Sequence, residues 1–192
     1  MKILRTFSIA INLLLLVASG CSTGNEITDE EAVYQVFLKN TPPSKPVYLI
    51  DEYTRVDLRH DETLTDTVQS YNGKGALTVL SDETINDFIA KNENSWQLSP
   101  DMNLGGEYTL LPQSEKDEMF NGRDCWRIMR ERYPDSFGKY AFSRVGFNRD
   151  RSQALIYRSF MFDGEGGYGG YCILEKEAGS WIIKDCFKTW KA

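Results

Sequence analysis

Phe142-Ser-Arg-Val-Gly-Phe-Asn148, Ala154-Leu-Ile-Tyr-Arg-Ser-Phe-Met-Phe162, Tyr171-Cys-Ile-Leu-Glu-Lys176 and Trp181-Ile-Ile-Lys-Asp-Cys-Phe187 succeed one another between Tyr140 and Trp190, and they decide the fold. In the first run Val145 and Phe147 alternate with Arg144 and Gly146, and the polar Arg149-Asp-Arg-Ser152 after it closes a hairpin. The second run is dense in aromatic and branched residues, which suit a pleated, half-buried surface, and should be the longest strand. Asp163-Gly-Glu-Gly-Gly-Tyr-Gly-Gly170 reads as a loop, because glycine reaches positive φ without steric cost and has no side chain to pack in a sheet. The last two runs flank Glu177-Ala-Gly-Ser180, a hairpin turn around Gly179. The expectation is a four-stranded antiparallel meander.

Ser143-Arg-Val-Gly-Phe-Asn148, Ala154-Leu-Ile-Tyr157, Gly170-Tyr171, Leu174-Glu-Lys176, Gly179-Ser-Trp181 and Trp190 together resemble the C-terminal block of a group of small exported bacterial proteins. Tyr133-Pro134 and Leu80-Ser-Asp-Glu-Thr84 resemble that group more faintly. The resemblance implies an exported protein of this fold and supplies no catalytic residue.

At the other end, Lys2 and Arg5 precede an uncharged, mainly apolar run from Thr6 to Val17, the order of a secretory signal. The run falls short of the roughly 20 apolar residues a bilayer span needs. It leads into Ala18-Ser19-Gly20-Cys21, similar to the lipobox of bacterial lipoproteins, with alanine where leucine is commonest. The organisation expected is a signal peptide over 1–20, a lipidated tether over 21–27 and a single domain over 28–192, with Cys21 acylated. One acyl chain holds a protein only marginally, so stable anchoring takes two or more. Ser22, rather than aspartate, follows the cysteine, and by resemblance to lipoproteins of two-membrane bacteria this implies the outer membrane, facing the periplasm.

Removing the first 20 of 192 residues leaves 172, the size of one domain. Loss of Lys2 and Arg5 takes the net charge from −6 to −8. A chain that tracks phosphates wants the opposite sign, so nucleic acid is not an expected partner. Beyond Cys21 the cysteines are Cys125, Cys172 and Cys186, and export places them where disulfides persist. A loop over Ala178-Gly-Ser180 sets Cys172 opposite Cys186, close enough at Cα for a disulfide. A two-residue loop sets Cys172 opposite Asp185 instead, and both cysteines then read as small buried hydrophobes.

Thr28-Asp-Glu-Glu31 matches a capping box, and Ala32, Val33, Val36 and Phe37 continue it as an apolar helical stripe. Prolines 42, 43 and 46 stop that helix, and Val47 to Val56 reads as a strand. Arg59 to Gly75 is polar and turn-rich. Ser81 caps a helix with Ile85, Phe88 and Ile89 inward, and Tyr108-Thr-Leu-Leu111 reads as an edge strand. Ser114 to Phe120 reads as a short helix capped at Ser114, and a further helix from Asp124 turns Trp126, Met129 and Tyr133 inward. The fold class expected is α+β: helices on one face of a curved antiparallel sheet, cystatin- or NTF2-like in outline.

Gly164-Glu-Gly-Gly-Tyr-Gly169 spells a dinucleotide fingerprint, but a strand rather than a helix follows, so it reads as a loop in which Tyr168 and Glu165 are candidate contact residues. His60 is the sole histidine, which excludes a multi-histidine zinc site and makes a solvated surface side chain the plainer reading. Asp51, Glu52, Asp57, Asp61 and Glu62 lack the spacing of a calcium loop and read as a solvated acidic face. Trp96, Trp126, Trp181 and Trp190 read as core rather than as a ligand pocket. No metal, cofactor or catalytic set is implied. The expected function is that of a non-catalytic, lipid-anchored binding module of the envelope, of inhibitor, immunity or ligand-binding type. Its partner would be a protein or a small apolar ligand. The alternatives are a small hydrolase using Asp51 or Glu52, or a purely structural lipoprotein.

Overall fold

The computed structural model describes residues 27–39, 47–54, 56, 79–162 and 166–192. Cys21, His60, Asp57, Asp61, Glu62 and Glu165 lie outside the described residues. Those described form helices α1 (Asp29–Leu38), α2 (Asp82–Asn92), α3 (Gln113–Phe120) and α4 (Cys125–Arg132). The strands are β1 (Val47–Asp51), β2 (Tyr108–Leu111), β3 (Ser136–Phe142), β4 (Gly146–Phe147), β5 (Gln153–Phe162), β6 (Gly166–Glu177) and β7 (Ser180–Lys191). The fold is α+β, and none of these helices is long and apolar enough to cross a membrane.

One open sheet runs in the order β2-β1-β3-β5-β6-β7, with β4 paired to β5 beside β3. Its C-terminal part is the antiparallel meander, but β1 lies parallel to both β2 and β3. The sheet is therefore mixed rather than antiparallel throughout. Parallel neighbours need crossover connections, and the helices between β1, β2 and β3 supply them.

Opposed residues share a face, so the register sorts the core. On one face α1 lays Val33, Tyr34, Phe37 and Leu38 over Ile50, Phe142, Ile156, Cys172 and Leu174. On the other, Ile85 and Phe88 of α2 cover Leu155, Tyr157, Tyr171 and Ile173, while Met119 and Met129 of α3 and α4 cover Leu49 and Leu111. Helices thus flank both faces, which corrects the single-faced packing expected. The reason lies in Ala154-Leu-Ile-Tyr157, buried on both sides of the pleat.

The elements depart from expectation in three further places, two of them in the meander. Phe142 pairs with Arg158 and Gly146 with Leu155, so one extra residue on the first strand splits it into β3 and β4. Ser143 bridges the gap: its N–H donates to the Tyr157 carbonyl and its Oγ accepts from the Tyr157 N–H, each at 2.9 Å. Gly166 to Gly170, read as loop, belong to β6. Aromatic rings lie across the strand at two of its glycines: a Cβ on Gly166 would meet the Phe162 ring at 2.0 Å and one on Gly169 the Trp190 ring at 2.2 Å. Finally, α3 starts one residue before Ser114 at Gln113, behind Pro112, with no side-chain cap.

The β6–β7 turn resolves the cysteine question. Glu177 pairs with Ser180, so the loop has two residues, Ala178 and Gly179, both at positive φ. A register shift between Ile173 and Leu174 then moves β7 by one, and Cys172 faces Cys186 across a Cα separation of 4.1 Å, with the sulfurs joined. Cys125 is a free thiol at the start of α4.

Candidate binding cleft

The N-terminal turn of α1 carries Asp29, Glu30 and Glu31, and each carboxylate ties the helix to a different element. The capping box forms: Thr28 Oγ1 accepts from the Glu31 N–H at 3.2 Å, and Glu31 Oε2 accepts from the Thr28 N–H at 2.8 Å. Glu31 Oε1 also accepts from the Asn103 N–H at 2.7 Å. Burial pushes the Glu31 carboxyl up, but those N–H groups more than offset it, leaving it below its ordinary value. Asp29 accepts from Lys176 Nζ at 2.6 Å, Trp181 Nε1 at 3.2 Å and Arg151 Nη1 at 3.3 Å. Burial again opposes and the donors again prevail, so Asp29 too lies below its usual range.

Glu30 makes the central tie. Arg144 grips it in bidentate fashion, Nε to Oε1 at 2.8 Å and Nη2 to Oε2 at 3.0 Å, and the Val145 N–H adds a third bond at 3.0 Å. The bond to Glu30 raises the Arg144 pKa further. The Tyr34 hydroxyl stands 3.0 Å from both Glu30 Oε1 and the Ser143 carbonyl oxygen, one of which takes its single proton. Burial first, and the Glu30 charge second, push that phenol well above its ordinary value.

Trp96 lies over this ion pair, its ring centroid 5.1 Å from Arg144 Cζ. The Trp96 N–H donates to Thr54 Oγ1 and the Trp96 carbonyl accepts from the Thr54 N–H, each at 2.8 Å, which holds the backbone while the residue stays 60 % exposed. The expectation that Trp96 belongs to the core is thus corrected. Around it opens a cleft of about 230 Å³, with Thr28, Glu31, Tyr34, Leu98 and Met102 on its walls. The floor is a neutralised ion pair and the walls are mixed apolar and polar.

The sequence-derived candidates fall elsewhere. Tyr168 stands on β6, opposite Phe160, and not on a loop. Asp51, expected on a solvated face, is 1 % exposed and bound to Lys139 Nζ at 3.0 Å through both oxygens, with Lys116 Nζ at 3.4 Å. Glu52 accepts from Gln97 Nε2 at 2.7 Å and from the Gln113 N–H at 3.0 Å. Trp181 is buried as expected, while Trp126 and Trp190 are half-buried. Glu30, Trp96 and Arg144 as a set were missed, since 114 residues separate the two charges. The one hint was a tryptophan directly behind Asn92-Glu-Asn-Ser95, a polar context unlike a core strand. No family model, curated protein or solved structure matches the chain.

Proposed function

We propose that the chain is a lipid-anchored protein of the cell envelope whose folded body is a non-catalytic binding module, and that the Trp96–Arg144 cleft is its contact surface. The observation that carries this reading is a largely exposed tryptophan held in place by an arginine that is itself fixed to Glu30. Tryptophan, tyrosine and arginine dominate binding hot spots because they offer large, rigid area with few rotamers to freeze. Asp51 supports it from the other side: a carboxylate enclosed by two lysines is spent on structure, which argues against a hydrolase using that group.

The anchor bears on the partner. Seven residue steps separate Cys21 from Thr28, which lines the cleft, so the cleft sits no more than about 25 Å of chain from the acylated residue. A partner in or against the same membrane is within reach. An N-terminal helix laid across an antiparallel meander keeps the cystatin- or NTF2-like outline as an analogy, from which the parallel strands and the second helical layer depart.

The test places a photo-crosslinking residue at Trp96 or Met102, with Asp117 on α3 as the control position, in cells that make the full-length chain. One species captured from the first two sites and absent from the third is expected, together with membrane release of a Cys21→Ala chain and acyl groups in the mass of the mature protein. Hydrolysis of peptidoglycan or ester substrates by purified protein, abolished by Glu52→Gln, would reverse the proposal.

A further inference from the structure

Two side chains lining the Trp96 cleft keep hydrogen-bond donors unused, and these bear on what the cleft can take. Arg144 spends Nε and one N–H of Nη2 on Glu30, and among the described residues its Nη1 donates to nothing. A guanidinium holds its N–H groups in a planar fork, so the outer edge of that fork is left over. The side chain is half-buried where it borders the cleft, so those donors are partly withdrawn from water. Trp96 is held through its backbone, and among the described residues its indole Nε1 likewise has no acceptor.

The carboxylates on the walls are occupied. Glu30 accepts from Arg144 through both oxygens and from the Val145 N–H, and Glu31 accepts from the Thr28 N–H and hydroxyl and from the Asn103 N–H. A cation entering the cleft would have to displace those donors, and an anion would meet two carboxylates against one guanidinium. An apolar ligand would cover the Arg144 and Trp96 N–H groups without pairing them, which is costly. The chemistry that fits is a neutral group rich in acceptors, with a flat apolar face for the exposed Trp96 ring. At about 230 Å³ the cleft falls below the roughly 300–1,000 Å³ of pockets that enclose a drug-sized molecule, which limits the group to the size of a single ring.

A pyranose has that form: C–H bonds lie across one face, and hydroxyls stand round the rim, each able to accept and to donate. With the cleft taken as the contact surface, a reading on which this assignment rests, we propose that it holds one neutral sugar ring of a glycan. The C–H face stacks on Trp96, and neighbouring hydroxyls accept from the free edge of the Arg144 fork. Glu30 then acts as a positioning residue, holding the guanidinium still while the sugar binds its other edge.

The probes are the methyl glycosides of glucose, galactose, mannose and N-acetylglucosamine, titrated into the folded protein while the Trp96 indole N–H and the Met102 methyl group are followed by NMR. At least one is expected to shift both signals saturably, with a Kd on the order of 1 mM, since a ligand of about 15 non-hydrogen atoms reaches little more. Trp96→Ala, at an exposed position, is expected to weaken binding at least about tenfold when read at Met102, and Trp96→Phe, which keeps a flat ring, to recover part of it. The methyl glycoside of glucuronic acid, which adds a carboxylate, should bind more weakly than that of glucose, and the reverse order overturns the neutral assignment. No shift with any of the four sugars, or equal affinity in Trp96→Ala, overturns the sugar altogether. In that event a protein captured by a crosslinker at Trp96 leaves the cleft standing as the contact surface, whereas no capture removes both readings.

Discussion

Lys139 and Asp51 show what a single position contributes. Lys139 is 6 % exposed on β3 and Asp51 closes β1, so the register that sets Leu49 against Lys139 also brings the two charges together on the face covered by α3 and α4. A buried pair gains little over an apolar pair, but removing one partner strands the other. Lys139→Met is expected to cost about 3 kcal/mol in urea denaturation, and Asp51→Asn in the same chain to recover much of it. If the single and double variants unfold at the same urea concentration, the pair contributes nothing. Gly146 belongs to the same scale: a Cβ there would sit 2.5 Å from the Phe88 backbone, so only glycine lets α2 lie on β4. Ser143-Arg-Val-Gly-Phe-Asn148 is thus a brace, in which Arg144 holds α1, the Phe147 N–H bonds Asp87 of α2 at 2.7 Å and Asn148 Oδ1 accepts from the N–H groups of Ser152 and Gln153. The composition of that segment was plain in the sequence, but its partners were not, because each comes from a distant part of the chain.

Among the elements, α1 and the β6–β7 hairpin make the sharpest claims. The carboxyls of Asp29 and Glu31 both lie below their ordinary values of 3.8 and 4.5 in the folded chain. Their contribution is therefore complete above about pH 4.5 and is lost as pH falls through the depressed values. Thermal unfolding followed from pH 7 downward should show a steep loss in that acid window. Asp29→Asn should be less stable at neutral pH but less sensitive to acid, and equal slopes for the two chains would contradict the assignment. The hairpin joins residues 14 apart in sequence through Cys172 and Cys186. Closing a loop of that size stabilises by about 3 kcal/mol through the unfolded chain. Reductant should lower the denaturation midpoint accordingly, whereas an unchanged midpoint would mean that the bond is absent or contributes nothing. Both registers allowed by the sequence occur, one on each side of the shift at Ile173 and Leu174, and only the paired backbone shows where the change falls.

For the molecule as a whole, the antiparallel half and the parallel half differ in how far apart their partners lie. β5, β6 and β7 pair with sequence neighbours, while β1 must find β2 and β3 across long separations. Loop closure precedes the reward of such pairings, so they form late and open early. Amide exchange is expected to be slowest at Leu155, Ile156, Tyr171 and Cys172, in the centre of the sheet, and faster in β2 and at the α3–α4 cluster; the reverse order would contradict a core centred on β5. Periodicity and turn chemistry were enough to place the meander, the capping box on α1, the inward stripe of α2 and the edge strand β2, because these depend on residues close together in the chain. The Gly166–Gly170 strand was hidden because glycine carries no sign of the Phe162 and Trp190 rings that lie over it. The parallel placement of β1, the second helical layer and the Glu30–Arg144–Trp96 cleft were decided only in three dimensions. Each depends on which distant strand a segment joins, and that choice is made by burying two faces of one sheet at once rather than by any local preference.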